Sequence, residues 1–504
     1  MTPLARSLAL SLALAGALCA LGGTAQAAGE AKNVIFFLGD GMGPVTVTAA
    51  RIYKGEKQLA ATPGSLPTSE RAKLTMQSLG HAARVKTFSN DGQTTDSAPS
   101  MSAYMTGVKA NNEVISMSSD TRAYAADGSQ YISGEDTTCA ATNGQPARTL
   151  LELAKAQGRA VGAVSTTRVG HATPAATYAH VCNRNAYNTI AEQSVPGHPR
   201  YNTLLGDGVD VLLGGGQRNY LPKSTSGSRR TDELNLVAAM QAKGYSYVDT
   251  GTKLAALDAT KAGKLLGLFS QSEMAYELDR VNQKLDQPSL SQMTQKALDV
   301  LSRNDKGFFL MVEGGRIDHA LHGTNAKRAL EDTLALDRAI DTALAYMEKK
   351  DPGLKNTLVV VTADHDHAIA FNGYTRIGNP ILGKVRDYQT NALAKAADGK
   401  PYTTLVFGNG GRPNATAASQ INAEDGNKAW VAPARGATRD DLTDVDTTQD
   451  NFLQEVGVNL GTPGSETHGG GDVMLFAGGA GARIFKGTMD NTKVFSKVRE
   501  AAGL

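Results

Sequence analysis

Tryptophan occurs once in 504 residues and cysteine three times, and neither sign of charge is in excess, with 51 Lys and Arg against 49 Asp and Glu. That balance, with no basic block or acidic run, argues against a nucleic-acid partner. The scarcity of cysteine excludes a disulfide-dense scaffold. None is needed, since a chain of this length buries roughly three-quarters of its unfolded surface. Long apolar runs are missing too, apart from one at the start. There Arg6 precedes the apolar stretch SLALSLALAGALCALGG, followed by Ala25-Gln26-Ala27. This is the pattern of a secretory signal over residues 1–27 with cleavage before Ala28. The run is short and Ala/Gly-rich for a bilayer, which needs about 20 apolar residues, so no membrane anchor is expected in the mature form. Loss of Arg6 takes the formal net charge from +2 to +1.

With Cys19 in the leader, Cys139 and Cys182 remain. An even pair in a chain bound for an oxidising compartment reads as one disulfide, against the alternative of two separate buried thiols. Residues 28–504 read as one large domain. From Asn33 onward short apolar runs (NVIFFLGD, AVGAVS, VDVLLGGG, FFLMVEGG, TLVVVTADHD, VMLFAGG) alternate with amphipathic stretches such as PVTVTAARIYKG and NAKRALEDTLALDRAIDTALAYMEKK. Strands buried on both faces and separated by helices predict a three-layer α/β/α sandwich with a mostly parallel central sheet. The interval from about 371 to 465, rich in Gly, Asn, Thr and Ala, breaks that rhythm and reads as a loop-rich insertion over the strand C-terminal ends, where it would shape access to a site or an interface.

Ligands of open α/β sheets sit beyond the carboxyl ends of the strands. Several strands here end in acidic or histidine residues: Asp40; Glu313, Asp318, His319 and His322; Asp364, His365, Asp366 and His367; His468 just precedes a further strand. Any one of them alone reads as a cap or a solvated loop charge. Gathered at one sheet edge, their carboxylates would repel unless divalent cations held them. Mixed His and Asp donors suit zinc, and Asp, Glu and hydroxyl donors suit magnesium or manganese. The segment TTDSAPSMSAYMTG reads as a helix N-terminus stopped by Gly107. Ser97 there is either part of the cap, with Thr95 or Asp96, or a hydroxyl placed beside an anion drawn by the helix N–H groups.

Six motifs in order (GDGMG at 39–43, TDSAPS around Ser97, HATPAATYAHVCNRN at 171–185, VEGGRIDHALH at 312–322, TADHDH at 362–367 and ETHGGGD at 466–472) resemble the alkaline phosphatase family over nearly the whole chain. The resemblance implies a phosphate monoesterase with Ser97 as nucleophile and Arg184 gripping the phosphate. It implies two Zn2+ and one Mg2+ per subunit: one zinc on Asp318, His322 and His468, the other on Asp40, Asp364 and His365, and the magnesium on Asp40, Thr173 and Glu313. It also implies a homodimer with broad substrate tolerance. At His171 and His319 some bacterial members carry Asp and Lys, and the histidines follow the animal pattern. They are expected to line the site, bind substrate or support the ligands, with metal ligation by either as the alternative, and they leave the third metal between magnesium and another divalent ion such as Co2+. His367 and Asp366 are expected to orient neighbours or pack, and His81, His180 and His198 to be structural. The expected location is periplasmic or secreted. The rival readings are a phosphodiesterase of the same superfamily and an inactive secreted metal- or phosphate-binding protein. A sulfatase would need an arginine that TDSAPSMSA lacks.

Overall fold

The computed structural model describes residues 29–411, 439–461 and 464–504, so the expected signal over 1–27 and part of the 371–465 interval lie outside the described residues. The main sheet has ten strands, numbered here in chain order: β1 (Asn33–Gly39), β2 (His81–Lys86), β3 (Ala160–Arg168), β4 (Val211–Gly215), β5 (Tyr245–Val248), β6 (Lys264–Leu268), β7 (Phe308–Gly314), β8 (Thr357–Ala363), β9 (Val473–Gly479) and β10 (Gly487–Asp490). They lie in the order β10-β2-β9-β8-β1-β7-β3-β4-β6-β5. β1, β3, β7 and β8 are buried along nearly every residue, which only strands covered on both faces show.

Two helix layers provide that cover. Pro44–Ala61 and Leu290–Leu301 both pack on Ala326–Lys350, Ser97–Thr106, Leu150–Ala156, Ala172–Tyr178 and Asn491–Ala502 form a second connected set, and members of both touch the sheet. The mostly parallel three-layer sandwich expected from the sequence is the one observed.

All pairings of the main sheet are parallel except the two made by β9, which runs against β8 and against β2. A reversed strand begins where its neighbours end. The residues just before β9, His468 among them, therefore arrive at the carboxyl edge of the sheet. Within the 371–465 interval, Leu405–Gly410 pairs antiparallel with Ile369–Phe371 and parallel with Glu455–Asn459 in a separate three-stranded sheet. Cys139 and Cys182 are joined in a disulfide, which ties down the segment that leads into Arg184. Among the described residues no helix is long and apolar enough to cross a membrane.

Candidate active site and metal centre

Register sets the site. Gly39 is level with Ala363 on one side and Gly314 on the other, so Asp40, Asp364 and the segment after Gly314 leave the sheet together. The turn that follows needs glycine: Gly41 has φ +65°, and a Cβ there would come within 2.4 Å of the His367 ring. Its N–H donates to Asp364 Oδ1 at 3.0 Å.

The helix Ser97–Thr106 starts on Asp96, whose carboxylate accepts from Ala98 N at 2.7 Å, and it stops on Gly107 in the left-handed region at φ 73°. Asp96 is thus the cap, and Ser97 is the first helical residue. Its Oγ lies 3.3 Å from Asp40 Oδ1 and 3.2 Å from His365 Nε2, and the residue is 2% exposed. The same Asp96 carboxylate accepts from Arg184 Nη1 at 2.9 Å, so one side chain fixes both the helix start and the guanidinium. Arg184 Nη2 donates to His171 Nε2 at 3.0 Å.

Three histidines have their Nδ1 committed to main-chain carbonyls: His322 to Glu466 O at 2.5 Å, His468 to Thr95 O at 2.8 Å and His365 to Asp366 O at 3.2 Å. The neutral rings therefore present bare Nε2 lone pairs to the site. His322 and His468 bring theirs within 3.1 Å of each other, and Asp318 Oδ1 lies 3.3 and 3.4 Å from them. Only a proton or a metal cation stabilises that convergence, and two imidazoles with a carboxylate are donors suited to zinc. Burial opposes a charge on His322, but the Asp318 carboxylate outweighs it and raises its pKa, as though a proton stood in for the cation. Asp318 likewise resists burial and is held well below the usual carboxylate range by His322, His367 and His468.

On the Ser97 side the imbalance is reversed. Asp40, Asp364 and His365 present ligand atoms within reach of one ion, and His365 Nε2 lies 3.2 Å from Asp40 Oδ1 and 3.6 Å from Asp364 Oδ2. Burial and the nearby Asp318 and Glu313 charges push Asp40 far up. Burial, then Asp40, moves Asp364 to about 7, and burial moves Glu313 to about 8. Buried oxygens without a hydrogen-bond partner collect here: Asp40 Oδ2, Asp364 Oδ2, Glu313 Oε1 and Thr173 Oγ1. The other Glu313 oxygen is fully engaged by Ser165 Oγ and, at 3.1 Å, by Thr167 Oγ1. Orphaned carboxylate and hydroxyl oxygens aimed into a closed space are the donor set of a hard divalent cation.

His171 joins Asp40 and Glu313 in that last group. Because Arg184 donates to its Nε2, its proton sits on the unpartnered Nδ1, and it offers a donor rather than a lone pair. His319 accepts from Arg316 at Nδ1 at 2.8 Å and stacks edge-on against His171, with ring centroids 5.4 Å apart. Burial, then Arg184, lowers His171 well below the ordinary histidine value, and burial, then Arg316, moves His319 to about 4. Both rings are neutral donors at the edge of the site.

Every site residue singled out in the sequence is gathered here. His180 bonds Glu152 and Ser116, His198 accepts from Arg200 N in an exposed turn, and His81 is exposed on β2. Three contributors were missed. Glu273, buried beside Arg168 with Oε1 3.0 Å from its Nε, faces His171 and His319; nothing in its local sequence marks it. Asp96 was read only as a possible cap. Glu466 bonds His367, and the signal for it was its spacing: residues i and i+2 of an extended segment share a face, and His468 is two residues on.

A doubly covered α/β sheet with a buried serine hydroxyl, converging His and Asp donors and an arginine held ready beside them defines a metal-dependent hydrolase of phosphate esters. The alkaline phosphatase family model matches residues 31–504. Mouse tissue-nonspecific alkaline phosphatase is 37% identical over 485 residues, covering 92% of this chain and 82% of its own. An alkaline phosphatase of Gadus morhua is 37% identical over 495 residues, covering 92% and 90%. The crystal structure of Thermus thermophilus alkaline phosphatase superposes with a TM-score of 0.64 at 28% identity, over 94% of this chain and 92% of that one. The chain belongs to the alkaline phosphatase family, whose members are metal-dependent.

Proposed function

We propose that this chain is an exported alkaline phosphatase that converts phosphate monoesters to an alcohol and inorganic phosphate through a phosphoserine on Ser97. The observation that carries the reading is the position of Ser97 Oγ, 3.2–3.3 Å from His365 and Asp40 and backed by Arg184 on Asp96. Asp318, His322 and His468 would hold one zinc, Asp40, Asp364 and His365 a second, and Asp40, Thr173 and Glu313 a magnesium or another divalent ion. Bound there, the cations lower the pKa of a hydroxyl and offset the charge that builds on the oxygens around phosphorus.

The chain's own groups account for the remaining steps. Ser97 Oγ gives up its proton and attacks phosphorus in line with the ester oxygen; the Oγ–P bond forms as the P–O bond to the alcohol breaks, and the departing oxygen takes up a proton to leave as the alcohol. Water then cleaves the phosphoserine and restores the hydroxyl. Arg184, a planar fork of donors, spans two non-bridging oxygens, while Asp96 keeps it from turning away. His171 and His319, neutral and donating, suit contact with phosphate oxygen or with water around the third cation.

The leader over 1–27 and the single disulfide support a periplasmic or secreted location. The 371–465 insertion would shape the entrance or an interface between two copies. Tyr374 at 86% and Ile377 at 62% exposure supply apolar surface for a homodimer.

The test compares wild type with Ser97→Ala on an aryl phosphate monoester, a diester and a sulfate ester, with metal content measured in the same samples. The wild type should turn over the monoester in preference, and the variant should lose at least about 1,000-fold in kcat while keeping its metals. A fully metallated wild type without monoester turnover would overturn the proposal, and preference for the diester would favour a phosphodiesterase.

A further inference from the structure

Glu466 belongs to none of the ligand sets named above, yet three separate contacts converge on it. Its Oε1 accepts from Ala368 N at 2.8 Å and its Oε2 from His367 Nδ1 at 2.6 Å. Its main-chain carbonyl accepts from His322 Nδ1 at 2.5 Å. The His367 ring in turn reaches Asp318 Oδ1 with Nε2 at 2.7 Å. The next residue, Thr467, faces the other way and is tied to Asn409 of the small sheet by two bonds, N–H to Oδ1 at 3.0 Å and Oγ1 from Nδ2 at 2.8 Å. His468 then turns back into the site. Glu466 is 2% exposed and sits beneath the centre.

We propose that Glu466 is a positioning residue for the Asp318–His322–His468 centre, orienting Asp318 through His367, His322 through its own carbonyl, and His468 through the chain that links them. The inference rests on the reading of those three residues as zinc ligands. An acceptor at the distal nitrogen of a ligating histidine fixes its tautomer and raises its basicity, and such partners are worth about 10–100-fold in metal affinity. The carboxylate does the corresponding work for Asp318: with His367 anchored at Nδ1, its Nε2–H points at one carboxylate oxygen and stops the side chain from turning away. The Asp40–Asp364–His365 centre has no contact with Glu466, so it serves as an internal reference.

The experiment is a chelator titration of zinc retained by purified wild type, Glu466→Gln and His367→Asn, read as zinc per chain by elemental analysis. Glutamine has the same shape and can still accept from Ala368 N, but its amide NH2 cannot accept from His367 Nδ1–H, so the fold-supporting bond survives while the orienting one is lost. For Glu466→Gln one zinc should be released at about 10–100-fold lower chelator strength, and the other should be unchanged. His367→Asn, which leaves Glu466 in place, should weaken the same zinc by a smaller factor, and thermal unfolding of the metal-stripped variants establishes that each is folded. Equal zinc retention in wild type and Glu466→Gln would overturn the role of Glu466. A folded wild type that holds no zinc at this centre would instead overturn the ligand reading on which it rests.

Discussion

The two halves of the site settle their charge in opposite ways. Around Asp318 one carboxylate is surrounded by His322, His367 and His468 and stays ionised, each ring being braced from behind by a carbonyl or by Glu466. Around Asp40 three carboxylates, Asp40, Asp364 and Glu313, share a buried space with fewer counter-charges. Burial pushes all three up, Asp364 to about 7 and Glu313 to about 8, and one oxygen of each lacks a hydrogen-bond partner. Without a cation the first half is an assembled ion cluster and the second holds strain that only protons or metal relieve. Metal entry therefore displaces the stand-in proton of His322 on the histidine side, but must displace protons from more than one carboxylate on the Ser97 side.

Matched substitutions break this comparison most sharply. Asp40→Asn should lower kcat by at least about 1,000-fold, as loss of a group central to phosphoryl transfer does. Yet in metal-stripped protein at pH 8 it should raise the unfolding free energy, by about 1–3 kcal/mol, because it removes a buried carboxylate whose charge is opposed by burial and by Asp318 and Glu313. Asp318→Asn should act the other way, costing the metal-stripped fold about 3 kcal/mol by leaving buried histidine charge unpaired. Urea unfolding of both variants measures the two signs, and equal signs would erase the distinction.

The pH dependence sharpens it next. Between about pH 6.5 and 8 the folded protein keeps protons on Glu313 and, to about 7, on Asp364, which the unfolded chain has released by about pH 5. His367, opposed by burial but raised to about 10 by Glu466 and Asp318, also holds its proton in the fold and loses it in the unfolded chain. All three make the native state the more protonated one. Above about pH 7 they outweigh His171, His319, His365 and His468, which folding keeps neutral and which oppose the slope only near the unfolded histidine value of about 6.5. The stability of metal-stripped protein should therefore fall by about 1 kcal/mol per pH unit there. Saturating zinc and magnesium should cancel or reverse that slope, because they take the place of the protons. Denaturant titrations with and without metal at pH 7 and 8 test it.

The smallest expected effect concerns Glu313→Gln, which preserves the acceptor facing Ser165 and Thr167 but removes the charge at Oε1. It should weaken magnesium retention by about 10–100-fold, leave both zincs in place and reduce kcat by less than Asp40→Asn does. Loss of zinc together with magnesium in this variant would show the inner half to be one site rather than two.

The strands that carry the chemistry were legible because strands covered on both faces must be apolar throughout, and β1, β3, β7 and β8 are. β10 at the sheet edge and β2 beside it were not, since their residues mix exposed and buried positions and form no apolar run. Ser97 shows the same limit at one residue. Its segment was readable as a helix start, but only the Asp96 bonds to Ala98 and Arg184 assign the cap to Asp96 and free Ser97 for chemistry.

By itself the sequence determined the family, the alternation that makes a parallel sandwich and the residue types at the strand ends, because each is a local pattern of hydrophobicity or chemistry. The tertiary structure alone decided that β9 runs backwards and so carries His468 to the same edge as Asp40, and that Glu466 braces the histidine half. Those depend on strand direction and on contacts between residues far apart in the chain, such as His322 and Glu466 at a separation of 144 or Thr95 and His468 at 373. No local pattern encodes them.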